Sequence, residues 1–237
     1  MAKEEVCASD TAYIKKNART VFGDEKWFSE WKLSHASFEA AADSPVRANI
    51  RFKAKDAETR TQLVKIMFLL VVTSTMPIGA YELDFKSYNA KHKVKTKSGK
   101  PAVGITGQFM KHILLQVAKD ARKKLGAGKI TFLHDKATCY QTILKDDELT
   151  SAPHFDGGLR ISAGKAPDMS HLDAGVCPFT EREVEDAGAL TQDEMCKAAK
   201  RAFSKVTPEM CQRISKRVRR NMQKVIALKG GNFFDER

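Results

Sequence analysis

KITFLHD, residues 129–135, is a short apolar run closed by an acid, and ARTVFGD, residues 18–24, has the same form far upstream. Each reads as a buried strand that delivers an aspartate, Asp135 or Asp24, to its carboxyl end. If the two strands are neighbours, both acids emerge at one sheet edge, where the ligands of open α/β sheets collect. Like charges that close repel and raise one pKa unless a cation sits between them. Hard oxygen ligands with open positions suit magnesium or manganese. Asp173, in PDMSHLDAG (167–175) at a predicted helix start, is the third acid that a two-metal site needs. The plainer alternative makes Asp24 and Asp135 turn or cap residues, and makes Asp168 and Asp173 helix-start acids stabilised by the dipole.

The rest of the chain supplies the scaffold. WFSEWKLSHASFEA (27–40) partly alternates and reads as a second strand, with Trp27 and Trp31 on one face as core residues. VKIMFLLVVTST (64–75) is apolar and β-branched, the mark of a central strand, and MPIG gives a turn. Residues 86–101, with Lys86, Lys91, Lys93, Lys95, Lys97 and Lys100, read as a basic surface loop or lid. Ile105, Phe109, Ile113, Val117, Ala121 and Leu125, with Leu114 beside them, form one stripe of a long helix closed by Gly126 and Gly128. Residues 141–149 suggest a short helix, HFDGG (154–158) a turn and GLRIS (158–162) a weak strand. From Ser170 the pattern is helical, with a capping box at Thr191 and Glu194 and a last helix from Pro208 to Leu228. Strands interleaved with helices imply an α/β sheet with helices packed on it.

Composition sets the partner class. The 237 residues hold 41 Lys+Arg against 29 Asp+Glu, a net charge of +12, which favours a polyanionic partner. Hydrophobic content of 42% is enough for a core. Cys7, Cys139, Cys177, Cys196 and Cys211 are scattered without a C-x-x-C pair, so reduced thiols fit better than zinc or disulfides. MAKEEVCASD has no apolar core, and the run Ile66–Val72 is too short to span a bilayer. The expectation is a soluble intracellular protein without membrane contact.

Four segments resemble the mariner superfamily of DNA transposases. GDEKWF (23–28) is similar to the family's first catalytic acid segment, HDKATCY (134–140) to its second, APDMSHLD (166–173) to its third, and VTPEMCQRISKRVRRNMQKVIALKGG (206–231) to its closing helix and Gly-Gly. Thirty-seven residues separate Asp135 from Asp173, a spacing typical of that superfamily. The resemblance implies a ribonuclease-H-like, retroviral-integrase-like mixed sheet flanked by helices, with a helical C-terminal end. It implies a short N-terminal segment over 1–17, a catalytic domain over 18–231 and a tail over 232–237. It further implies two Mg2+ or Mn2+ ions, with Asp24 bridging them and Asp135 and Asp173 each on one, serving phosphodiester hydrolysis and strand transfer on DNA. A homodimer, a nuclear location and a separate helix-turn-helix DNA-binding partner are the corresponding expectations, because 23 residues before Asp24 are too few for the family's paired reading modules.

Departures from the family pattern touch the site itself. Lys136 stands where Asn is usual and is a candidate phosphate contact; Tyr140 stands for His, His171 for Pro, and the Trp expected beyond Asp173 is absent. Arg213, Lys216, Arg217, Arg219, Arg220 and Lys224 cover the polar side of the last helix and are candidate DNA-backbone contacts, a solvated basic face being the plainer reading. Glu25 and His134 alternate away from their neighbouring acids, Glu25 reading as a salt-bridged surface acid. An inactive or domesticated remnant that only binds DNA, and an unrelated basic nucleic-acid-binding protein, are the alternatives.

Overall fold

β1 (Thr20–Ser29) is the middle strand of a mixed five-stranded sheet of order β3-β2-β1-β4-β5. It pairs antiparallel with β2 (Lys65–Val72), which pairs antiparallel with the edge strand β3 (Pro77–Glu82). On its other side it pairs parallel with β4 (Thr131–His134), and β4 pairs parallel with β5 (Leu159–Ile161). The computed structural model describes residues 9–29, 65–96, 98–162, 169–189 and 191–228.

β2 lacks alternation because both of its faces are covered. Ile66, Phe68, Leu70 and Val72 join Phe22 and Phe28 in a core under the C-terminal helices, whereas Leu69 and Val71 join Val21 and Phe132 in a second core on the opposite face. α3 (Gly107–Leu125) is capped by Thr106, whose hydroxyl accepts from Phe109 N at 3.2 Å, and ends at Gly126, φ 69°. Over the other face lie α1 (Asp10–Asn17), a π-helical turn at Leu172–Val176, α5 (Cys177–Asp186), α6 (Gln192–Ser204) and α7 (Pro208–Ala227). The expected capping box holds α6: Glu194 N donates to Thr191 Oγ1 at 3.3 Å and Thr191 N to Glu194 Oε2 at 3.0 Å. α4 (Thr138–Gln141) is one turn after β4.

Two arginines tie down the amino ends of the parallel strands. Arg19 donates to the carbonyls of Lys129, Leu125, Gly126 and Gly128 at 2.8–3.1 Å, satisfying the last turn of α3. Arg122 donates to the carbonyls of Gly128, Pro153 and His154 and to Asp156 Oδ1 at 2.6–2.9 Å. Gly23 lets Phe132 cross the sheet surface, since a Cβ there would stand 2.5 Å from the ring's Cζ.

Several local expectations are corrected. β1 does not stop at Asp24 but continues five residues, because Phe22 and Phe28 anchor the same face on either side of Asp24 and Lys26. β3 was masked by its Pro77-Ile78-Gly79 start, which an edge strand tolerates at its first residue. The basic loop contains a helix, α2 (Phe85–Lys91), and a bridge between Lys95 and Pro101. The helix expected over 141–149 is the earlier, shorter α4. Of the strand expected over 27–40, residues 27–29 belong to β1 and the remainder, with Trp31, lies outside the described residues, as do Asp168, Cys7 and the terminal Gly-Gly. Trp27 is 47% exposed rather than in the core. Cys139, Cys177, Cys196 and Cys211 are free thiols. Among the described residues no helix is long and apolar enough to cross a membrane.

Candidate metal centre

Parallel pairing matches Phe22 with Leu133, and the same offset carried two residues further sets Asp135 opposite Asp24. Asp135 itself lies one residue past β4, exposed, its Oδ1 accepting from Ala137 N at 2.9 Å, and it stays outside the cluster that Asp24 forms; strand alternation turns Asp24 to the face covered by the C-terminal helices. Asp173 arrives from that layer, in the π-helical turn, where Ser170 Oγ accepts from its backbone N–H at 3.3 Å. Gly175 brings α7 against this turn: a Cβ there would stand 2.6 Å from Ile214 Cδ1. A carboxylate oxygen of Asp24, one of Asp173 and the Cys177 Sγ lie within 4.8 Å of one another.

Electrostatics mark the cluster. Burial pushes the Asp24 carboxyl up to about 7, and the charges of Asp173, Glu25 and Asp135 push the same way, against a hydrogen bond from Glu25 N at 3.0 Å. Asp173 is raised by burial, and Ser170 and Lys26 pull it back. Lys26, two residues beyond Asp24 on the same face, is engaged by Glu181 at 2.7 Å. Burial and the two aspartates push the Cys177 thiol well above its usual range. Asp24 and Asp173, with no cation bonded to Asp24 among the described residues and the charge of Asp135 acting on it, make a donor set that a hard divalent ion fits. Cys177 and Lys26 were not singled out from sequence; spacings of i+4 from Asp173 and i+2 from Asp24 would have found them.

Glu25 points to the opposite face, as alternation predicts, yet it is no surface acid. It is half-buried, forms no ion pair among the described residues, and is raised by burial, an effect the facing Tyr140 hydroxyl partly offsets. Neither Glu25 Oε1 nor the Tyr140 hydroxyl reaches hydrogen-bond geometry with a described residue. His134 is buried on this same face, stacked on Tyr140 at 4.1 Å, its Nδ1 bonded to the Asp135 carbonyl at 2.5 Å. That bond makes Nδ1 the donor and leaves Nε2 a bare acceptor without a partner among the described residues. His171 is a buried plate between Tyr13 and Phe22, stacked on Phe22 at 3.8 Å, and burial pushes it down to about 3.

Lys136 is exposed beside Asp135. On α7, Arg213, Lys216, Arg217, Arg220 and Lys224 are exposed, Arg217 donating to the Ala174 carbonyl at 3.2 Å. Arg219 instead turns inward, 9% exposed, and binds Asp10 at 2.9 Å, tying α7 to α1.

A mixed sheet of this order, covered by helices on both faces, is a ribonuclease-H-like fold. The chain is similar to the catalytic domain of Mos1 mariner transposase, with a TM-score of 0.59 and 16% identity over 91% of this chain and 84% of that one. It is also similar to the Mos1 transposase paired-end complex with the left transposon end (0.64, 17%, 95% and 60%) and to the Mos1 mariner paired-end complex with Mn (0.61, 17%, 92% and 57%). A Mos1 paired-end complex with Mg matches as well. The chain thus spans 57–60% of the length of the transposase chains in the first two complexes. At these identities the likeness is one of fold. No family sequence profile and no curated protein sequence matches the chain.

Proposed function

We propose that the chain is a mariner-type transposase catalytic domain that hydrolyses phosphodiesters in DNA and transfers the freed strand, using two Mg2+ or Mn2+ ions. The observation that carries this reading is the meeting of Asp24 and Asp173 within 4.8 Å, beside the strand that leads into Asp135, with Asp24 pushed up to about 7 by burial and by the charges of Asp173, Glu25 and Asp135. Those three carboxylates would hold the ions. Bound divalent ions would supply an activated water or 3′-hydroxyl and charge for the leaving oxygen. Lys136 contributes a cation beside Asp135 for a phosphate, and Arg213, Lys216 and Arg220 offer backbone contacts that fix the duplex without reading sequence. In this reading DNA is the substrate, a second copy and a helix-turn-helix protein are the assembly partners, and the nucleus is the compartment.

A second reading, a remnant that binds DNA without cutting it, draws on Lys136 beside the second acid and on the Cys177 thiol within 4.8 Å of both Asp24 and Asp173. Nicking of supercoiled plasmid in manganese separates the two. The native chain is expected to nick, and Asp24→Ala, Asp135→Ala and Asp173→Ala each to slow it about a hundred- to a thousand-fold with the fold intact by circular dichroism. Equal nicking by all four proteins would end the metal reading; binding without nicking by the native chain would select the remnant.

A further inference from the structure

The excursion between β3 and α3 is an ordered unit of its own. Asp84 caps α2, Val94 N donates to the Asn89 carbonyl at 3.0 Å, and Ala102 N to the Val94 carbonyl at 2.9 Å. The Asn89 amide nitrogen holds the returning strand by donating to the carbonyls of Ala102 and Gly104 at 3.2 and 2.9 Å. One side of α2 packs on α3 through Phe85 and Tyr88, both in edge contact with Phe109. The other side opens on a cleft of about 580 Å³, in the size range of ligand sites (about 300–1,000 Å³).

The cleft has two chemistries. Its floor is aliphatic, from Val94, Ala102 and Val103, the last 83% exposed. Its rim is cationic, from Lys86, Lys93 and Lys95, none of which forms an ion pair among the described residues. No acid occurs in the sequence between Asp84 and Asp120, and the Asp84 side chain is occupied as a cap. Asn89, 4% exposed, backs the wall, its Oδ1 buried and without a donor among the described residues. Hydrated duplex phosphate would use the lysines but waste the apolar floor. A nucleotide out of the base stack uses both, its base against the aliphatic floor and its flanking phosphates on the rim. The chain's net charge of +12 favours a polyanion over a short acidic peptide.

We infer that the α2 cleft binds an unpaired nucleotide of a DNA strand. This rests on the reading of the chain as DNA-acting, but not on its catalysis. The test is fluorescence anisotropy with the full chain, comparing a blunt hairpin duplex with the same hairpin carrying a single-stranded overhang. The overhang should bind about five-fold tighter. Lys86→Gln/Lys93→Gln/Lys95→Gln should lose that preference, keep blunt-duplex binding, and lower the salt slope for the overhang by about 2. Val103→Asp, at an exposed position that cannot threaten the fold, should lose the preference as well. A 4-thiothymidine in the overhang should crosslink within residues 86–103. Equal binding of the two hairpins by the native chain, equal loss on both by the variants, or crosslinking elsewhere would each overturn the proposal. Asp24→Ala should keep the preference while losing nicking, so failure of the catalytic reading and failure of this one give different results.

Discussion

At the amino ends of β1 and β4, Arg19 and Arg122 answer nearly every exposed carbonyl of the α3–β4 connection, and Asp156 is drawn below its usual pKa by the Ile130 N–H and then by Arg122. Where β4 ends, the same pair of strands presents Asp24, driven up to about 7 by burial and like charge, above a layer in which Glu25, Tyr140 and His134 each carry a polar atom unanswered among the described residues. The satisfied end fixes register; the unsatisfied end is affordable only because register is already fixed, and unsatisfied buried groups are where a ligand has most to offer.

The largest expected effect lies at the satisfied end. Arg122→Ala should cost about 3 kcal/mol in urea unfolding, since three carbonyls and Asp156 lose a charged donor together. At the other end the sign reverses. Asp24 has a folded pKa of about 7 against an ordinary 3.8, so the folded chain keeps a proton that the unfolded chain has lost. Stability contributed by this group therefore falls as pH rises from about 4 to about 7. Asp24→Asn should be stabilised by about 2 kcal/mol at pH 8 and be unchanged below about pH 4. Added manganese should flatten the native pH slope and leave the variant's untouched. A native slope absent in thermal scans across that window would show that the acids do not strain one another.

Between the ends, Gly23→Ala should cost about 1–3 kcal/mol by forcing Phe132 aside, and Phe132→Leu should recover part of the loss. The smallest effect belongs to Trp27→Ala, within about 0.5 kcal/mol by denaturant titration, because the ring is 47% exposed.

Asp24 and Asp173, which the structure brings together, could be read in the sequence because one follows and the other opens an element with a strong apolar pattern. Their surroundings could not. DEK after Gly23 looks like a strand end until β2 and β4 are known to flank it, and the same ignorance makes Glu25 look solvated when Tyr140 covers it. The lysine run over 86–101 hid α2, whose packing residues are only Phe85 and Tyr88. Arg219 was indistinguishable from its basic neighbours because its partner, Asp10, is 209 residues away. Periodicity reports which way a side chain faces within one element, and it is silent on what another element brings to that face.

The π-helical turn at Leu172–Val176 has one consequence of its own. It winds an extra residue into the helix immediately before α5. Angular phase along an α-helix advances by about 100° per residue, so relaxing that turn to ordinary α geometry would swing Asp173 about a quarter of the way around the axis and away from Asp24. The aim of the third carboxylate is set by the girth of a single coil.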